Sequence, residues 1–261
     1  MTLFVAERRR AILTKLNANG RVFVNDLSDE MKVSTVTIRQ DLRALEREGL
    51  LERTYGGAVS KSTIADFPPE LSFDLRSTRN RAAKAAIGAA AAEMVKEGSS
   101  IALDASTTAY ALVPFLRHFK KLTIITNNLA VAQSFLNRPG IEIFVPGGRV
   151  KKETISIVGQ PDALPDINLN MGFFGAGGIS LRGGMSDIDP DEVLMKQAMM
   201  ARCVTPVLVV DGSKWGQIAP YTVLPSDKIE RIITTANAPA DLVEQFRQTG
   251  IVVDVIPFPK T

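Results

Sequence analysis

Cysteine is nearly absent from this chain of 261 residues: Cys203 is its single copy, and His118 is its single histidine. One cysteine excludes an intrachain disulfide and a thiolate zinc cluster. One histidine leaves a Ser-His-Asp triad a single possible base. That base sits in "LRHFKKL", which reads as a helix end, where a cation beside the helix dipole is the plainer role. No apolar run approaches the roughly 20 residues that a membrane span needs. Met1 to Arg10 places charges where a signal peptide would place its apolar core, so a cytoplasmic protein is expected. No GxxxxGK[ST] occurs, which excludes a P-loop kinase, and no metal or cofactor motif is visible. There is no repeat of fixed period and no low-complexity tail.

Charge is present but unevenly placed. Residues 1–61 hold 11 Lys and Arg against 8 Asp and Glu, and residues 62–261 hold 20 of each, so the whole net charge of +3 lies in the first quarter. That asymmetry hints at a nucleic-acid partner for the N-terminal part.

The local pattern there agrees. "AERRRAILTKLNANG" has Ile12, Leu13 and Leu16 at helical spacing, with Gly20 as a stop. "NDLSDEMKV" reads as a short second helix that buries Leu27 and Met31, with Asn25 as its cap. After a turn at Lys32 and Val33, Ser34 caps a third helix whose stripe is Ile38, Leu42 and Leu45 and whose stop is Gly49. Two helices joined so tightly predict a helix-turn-helix. At about 100° per residue, Val36, Gln40, Arg43 and Arg47 face away from the stripe, flanked by Thr37 and Arg39. Amide, hydroxyl, methyl and guanidinium groups without a carboxylate are what reads base edges and phosphates in a major groove. "LLERTYGGA" then reads as a strand turning at Gly56-Gly57, a wing that brings Arg53 and Tyr55 to the DNA backbone. The DNA-binding set is therefore Ser34, Thr35, Val36, Thr37, Arg39, Gln40, Arg43, Arg47, Arg53 and Tyr55.

Residues 61–76 include Pro68-Pro69 and several hydroxyl side chains, and read as an extended linker between a domain at 1–60 and another at 77–261. Beyond an alanine-rich helix, apolar strands alternate with helices: "SSIALD", "LTIITN", "IEIFVPGG", "MGFFGAGG", "TPVLVVDGSK", "IERIITT" and "IVVDVI" are the strands. This alternation predicts an α/β domain with a mainly parallel sheet covered on both faces. Five of its loops are small, polar or glycine-rich: Asp104 to Thr108, Thr126 to Asn128, Gly147-Gly148-Arg149, Gly175 to Gly178 and Asp211 to Lys214. At the carboxyl edge of an open parallel sheet such loops converge on a ligand crevice. Hydroxyls at a helix N-terminus suit a phosphate, Asp and Asn suit sugar hydroxyls, and Arg149 and Lys214 supply charge. "GAGGIS" is not a dinucleotide fingerprint, since Ser180 stands where a third glycine is needed.

"VSTVTIRQDLRALEREGLLERTYGGA" resembles the N-terminal signature of the DeoR family of bacterial transcription regulators. "LDASTTAYAL", "LTIITNNLAVA", "VPGGRV", "FFGAGGI", "DEVLMKQAM" and "VVDGSKWG" resemble successive motifs of that family's sensor domain. The resemblance implies a winged helix-turn-helix followed by a doubly wound sensor similar to pentose-phosphate isomerases. It implies a homo-oligomeric repressor of a sugar-catabolism operon, released from double-stranded operator DNA by a phosphorylated sugar, and not an enzyme. Its implied effector residues are Asp104, Ser106, Thr107, Thr108, Asn127, Gly148, Arg149, Gly175, Gly177, Glu192, Lys196, Asp211 and Lys214. The family often has arginine at Gln40, histidine at Tyr55 and Asp-Lys at Asn170-Met171. The alternative is a sugar-phosphate isomerase in which Asp104, Glu192 and Lys214 move protons, but an isomerase has no use for a DNA-reading helix.

Overall fold

The computed structural model describes residues 5–19, 21–47, 50–54, 56–59 and 72–258. The chain divides into two compact units, Met1–Asp66 and Phe67–Thr261.

The first unit runs α1 (Val5–Asn19), β1 (Arg21–Phe23), α2 (Val24–Met31), α3 (Thr35–Arg47), β2 (Glu52–Thr54) and β3 (Gly57–Val59). Ile12 and Leu16 of α1, Leu27 and Met31 of α2, and Ile38, Leu42 and Leu45 of α3 meet in one core. Ser34 caps α3 as expected, its Oγ accepting from the Thr37 amide at 3.1 Å. Asn25 does not cap α2. The helix begins one residue earlier at Val24, with Phe23 in the cap position and no side-chain cap. β2 and β3 form the hairpin of the wing, and β1, which the sequence pattern did not announce, adds antiparallel to β3. The expected stops at Gly20 and Gly49 lie outside the described residues.

The second unit opens with α4 (Phe73–Thr78) and α5 (Arg81–Ala92). The linker expected over 61–76 is therefore helical from Phe73 onward. Ser72 caps α4 through the Leu75 amide, Phe73 is buried edge-on against Tyr110, and its amide donates to the Glu153 carbonyl. Pro68-Pro69 lie outside the described residues. There follow β4 (Ser100–Leu103), α6 (Thr107–Tyr110), α7 (Val113–Leu116), β5 (Leu122–Thr126), α8 (Leu129–Phe135), β6 (Ile141–Phe144), β7 (Arg149–Lys151), β8 (Ser156–Val158) and β9 (Leu169–Phe174). β10 (Gly178–Ser180), β11 (Gly184–Asp187), α9 (Pro190–Met200), β12 (Cys203–Val209), β13 (Tyr221–Leu224), β14 (Arg231–Thr235), α10 (Ala240–Gln248) and β15 (Val252–Ile256) complete it. Where one helix was expected after β4 there are two short ones, α6 and α7, the second with Pro114 in its first turn.

Seven strands form one sheet in the order β15-β14-β12-β9-β4-β5-β6, every pair parallel. Its strands are apolar on both sides because both faces are covered. On β4, Ile101 and Leu103 join the core under α5 to α8, while Ala102 joins the core under α9 and α10. The alanines of α5 let it lie close: a Cβ on Gly88 would meet the Ala111 carbonyl oxygen at 2.3 Å. Strand order reverses between β4 and β9, so that edge is the topological switch point of the sheet. Two smaller antiparallel sheets, β7-β8 and β10-β11-β13, stand outside it; their short strands carried no clear alternation in the sequence.

Candidate functional site

A cavity of about 270 Å³ opens at the carboxyl ends of β5, β4, β9 and β12. It sits at the small end of ligand pockets, a size for a metabolite and not a dinucleotide. Of the residues expected there, it is lined by Asp104, Ser106, Thr107, Thr108, Asn127, Gly177, Glu192, Lys196, Asp211 and Lys214.

The β4 loop is held by Asp104, which is buried. One carboxylate oxygen accepts from the Ser106 amide and hydroxyl, and the other accepts from the Gly175 amide at 3.1 Å and pairs with Lys196 at 3.0 Å. Gly175 is needed at this crossing, because a Cβ there would meet Ser106 Oγ at 2.4 Å. Lys196 also donates to Asp187 and to the Gly175 carbonyl. Burial alone would lower its pKa, but the two carboxylates outweigh that and hold it above the ordinary lysine value. Lys196 is thus a locked structural cation that ties α9 to β4 and β11.

Lys84 and Lys214 are in the opposite condition. Burial pushes Lys84 down to about 8, with Asp211 opposing and Lys214, Arg76 and Arg79 pushing the same way. Lys214 is lowered by burial too, with Asp211 and Asp187 opposing and Arg76 and Arg79 reinforcing. Four basic side chains, Arg76, Arg79, Lys84 and Lys214, therefore border one cavity and repel one another across it. The cluster is poised for an anion, whose charge would relieve the repulsion.

Three of those four were not anticipated. Arg76 comes from α4, at the end of the stretch read as linker, Arg79 from the turn after it, and Lys84 from the alanine-rich helix. The signal was present in "LRSTRNRAAK", whose four bases include Arg76, Arg79 and Lys84. Asn80 joins them, donating to Asp211 at 3.2 Å, and Asp211 also accepts from the Ser213 amide and hydroxyl.

The acceptor side of the cavity lies three strands away. Asn127 ends β5, and its amide nitrogen donates to the Ile157 carbonyl at 3.4 Å. Glu192 begins α9 and accepts from the Ser156 hydroxyl at 2.7 Å, itself linked to Thr154. Lys151 donates to Asp189, the cap of α9, at 2.7 Å, and lies 4.0 Å from Glu192. Asn128 is spent on capping α8 through the Ala130 and Val131 amides.

Gly148, Arg149 and Gly175 are the exceptions among the expected effector residues, and the first two lie furthest from expectation. Those two line a separate, open groove with Asp191 and Leu194, and the exposed Arg149 guanidinium pairs with Asp191 at 3.0 Å. The physical reason is that the chain leaves the sheet after β6 and returns as the β7-β8 hairpin, which carries this loop away from the crevice. Gly175 stands behind the cavity wall rather than on it, through its two backbone bonds. Asn170 is at the opposite, amino end of the sheet, where it accepts from the Ser100 amide and hydroxyl, so the Asn170-Met171 pair does not border the cavity. His118 is exposed, stacked on Phe119 and absent from the lining. Cys203 opens β12 with its thiol pushed up by burial to about 12, which makes it a poor nucleophile.

In the first unit Val36, Arg39, Gln40, Arg43 and Arg47 are all exposed on α3. The opposite side carries an ion cluster not foreseen in the sequence: Asp41 is buried and accepts from Arg8 at 2.6 Å and Arg9 at 3.1 Å, tying the helix to α1. Thr37 and Ser34 share the cap of α3, their hydroxyls 2.9 Å apart, and Thr35 is half-buried beside them. Arg53 on the wing lies 3.8 Å from Glu46, and its amide also bonds that carboxylate, which docks β2 on α3. Tyr55 lies outside the described residues. No helix among the described residues is long and apolar enough to cross a membrane, and no group of metal-ligating side chains is assembled among them.

Comparison with known proteins places both units. A DeoR-like helix-turn-helix domain matches residues 8–64, and a DeoR C terminal sensor domain matches residues 79–236. The HTH-type transcriptional regulator GolR of Listeria innocua is 32% identical over 97% of this chain and 99% of its own. The HTH-type transcriptional regulator GlpR of Haloferax volcanii is 30% identical over 95% and 96%. The glycerol-3-phosphate regulon repressor of Escherichia coli K12 is 29% identical over 91% and 94%. Among solved structures, ribose 5-phosphate isomerase A of Methanocaldococcus jannaschii aligns over 51% of this chain and 53% of that one, with 15% identity and a TM-score of 0.37, too loose a likeness to carry an argument.

Proposed function

The chain belongs to the DeoR family of transcriptional regulators, and from that premise we propose that it is a cytoplasmic operator-binding repressor released by a phosphorylated sugar. The observation that carries the effector class is the cation cluster at the switch point of the sheet. Arg76, Arg79, Lys84 and Lys214 crowd a cavity sized for a metabolite, and the two lysines have lowered pKa values that an anion would restore. A phosphate monoester brings about two negative charges and three acceptor oxygens, which matches such a cluster. Thr107 and Thr108 line the same cavity. That the glycerol-3-phosphate repressor is named for a phosphorylated polyol supports the same class here.

The DNA end of the proposal rests on α3. Its exposed face offers Gln40 to adenine and Arg39 or Arg43 to guanine or phosphate, with Val36 for a thymine methyl group. Ser34, Thr35 and Thr37 sit at its N-terminal end, where a recognition helix meets the groove. A single short helix reads few bases, so we infer a homo-oligomer that presents two such helices to half-sites about one helical turn apart.

Catalysis is not part of the reading. Asp104, one of the three groups an isomerase would use, is tied down by the Ser106 amide and hydroxyl, the Gly175 amide and Lys196, and the family is one of regulators. The experiment is a titration of the protein–operator complex with a panel of sugar phosphates, read by fluorescence anisotropy, beside an assay of ketose–aldose interconversion. Release by one phosphate ester without turnover supports the proposal. Turnover without any change in operator affinity would sink it.

A further inference from the structure

The phosphate reading accounts for one end of the cavity only. Asn127 borders the cavity, is 2% exposed, and spends its amide nitrogen on the Ile157 carbonyl, which fixes which way the amide points. Its carbonyl oxygen Oδ1 is buried and has no hydrogen-bond partner. A buried acceptor without a donor is costly, which makes this oxygen a place for a donor from outside the chain, a ligand group or the water that ligand displaces. Glu192 stands on the same side and is likewise an acceptor when ionised. A phosphate dianion cannot serve either group, because its oxygens only accept and its charge repels a carboxylate. Lys214, one of the four crowded cations, also stands elsewhere: it follows β12, which is three strand spacings from β5, about 14 Å across the sheet.

We propose that Asn127 sets the specificity of the cavity by taking a hydrogen bond from a hydroxyl at the end of the effector remote from its phosphate. This rests on the phosphate reading above and adds to it a polarity. The effector is a phosphate monoester whose far end bears hydroxyl donors, oriented with its phosphate toward α4, α5 and the β12 loop and its hydroxyls toward β5 and α9. Inorganic phosphate fills one end and leaves Asn127 unserved.

The test is calorimetric titration of the full-length protein. The probes are inorganic phosphate, a series of polyol and sugar phosphates of three to six carbons, and the monodeoxy analogues of the tightest of these. One deoxy analogue is expected to bind the wild-type protein about tenfold or more weaker than its parent, since it strands the Asn127 oxygen. On Asn127→Ala that difference shrinks toward unity, and the preference for the parent ester over inorganic phosphate falls by a similar factor. Asn127→Ser serves if the alanine variant does not fold, and the ligand-side deletion leaves the protein untouched in either case. Equal losses for every deoxy analogue on wild type and variant would overturn the inference while leaving the phosphate site intact. Failure of inorganic phosphate and of every ester to bind would overturn the phosphate reading itself, and this one with it.

Discussion

Arg39, Arg43 and Arg47 on α3 stand in solvent, whereas Lys84 and Lys214 in the second unit line a cavity where burial and neighbouring cations lower their pKa values. The same chemistry is put to opposite uses. Exposed guanidinium groups keep their charge at little cost and meet a polyanion whose counterions they release, so their grip falls with salt. Buried ammonium groups are held at a cost that only a specific anion offsets, so their grip depends on shape and proton count. A regulator needs both kinds, and each unit carries one. Comparing Lys196 with Lys84 sharpens the lesson inside one cavity. Two carboxylates make the first a fixed strut, while burial, reinforced by the surrounding cations, makes the second a detector.

The largest expected effect separates the units. Asp41→Ala removes the buried carboxylate that Arg8 and Arg9 share, and breaking a buried ion pair costs up to about 3–5 kcal/mol. Because Asp41 holds α3 to α1, operator binding should be lost while the effector still binds with wild-type affinity. Calorimetry with effector and anisotropy with operator on one preparation check both halves. An Asp41→Ala protein that still binds operator normally would break the comparison, by showing that the first unit does not depend on its buried ion cluster.

Next comes the converse variant. Lys214→Ala should lose about 1.5–3 kcal/mol of effector affinity, roughly ten- to a hundredfold, with operator affinity unchanged. Effector and operator communicate only through a difference in effector affinity between two states of the protein, so the variant is a repressor that needs far more effector to let go. Release at the wild-type concentration would remove Lys214 from the site.

A similar magnitude is expected within α3. Gln40→Ala should relax base preference at one operator position by about 1–3 kcal/mol, while Arg47→Ala weakens all sequences alike and lowers the salt slope. Selection of binding sites by each variant from a random pool reads this directly; an unchanged preference for Gln40→Ala would deny that side chain a base contact.

How much of this the residues alone disclosed follows from what they encode. The stripe of α3 and the apolar strands of the large sheet are periodic, so their faces and their layering were legible. The carboxyl-edge loops were legible as a group, because a parallel sheet sends its strand ends to one crevice. The VPGGR loop broke that rule, since a strand end points into the crevice only if the chain crosses over at once, and here a hairpin intervenes. Arg76, Arg79 and Lys84 were missed because they precede the first strand of the sheet, and no periodicity says where a preceding helix will be laid down. Asp41 was missed because a wheel ranks faces by hydropathy, and a buried carboxylate with two arginine partners is invisible until α1 is docked.

The smallest effect is the most diagnostic of a detector. Lys84 has its pKa lowered to about 8, chiefly by burial, against an ordinary lysine value of 10.5. Its charged form is thus disfavoured in the folded state, and the sign follows from proton counting. Between about pH 8 and 10.5 the unfolded chain holds more protons at this group than the folded one, so its contribution to stability rises with pH across that window. Below pH 8 the cost is present in full, up to about 3 kcal/mol before the hydrogen bond that Lys84 donates to the Arg76 carbonyl is set against it. Lys84→Met should therefore raise the melting temperature of the second unit slightly at pH 7 and lose that advantage near pH 10. Effector binding should show the opposite dependence. A phosphate ester remains a dianion above pH 7, since its second pKa is about 6. It stabilises the charged lysine and so draws a proton onto the protein, and the effector should bind more weakly as pH rises above 8, by at most about tenfold per unit. In Lys84→Met that slope should become shallower, what remains being the share of Lys214, although the affinity itself is lower throughout. Calorimetric titration in two buffers of different ionisation enthalpy at pH 8 counts the protons taken up. A wild-type uptake of zero there would mean that Lys84 does not face the phosphate, and would leave Arg76, Arg79 and Lys214 to hold it.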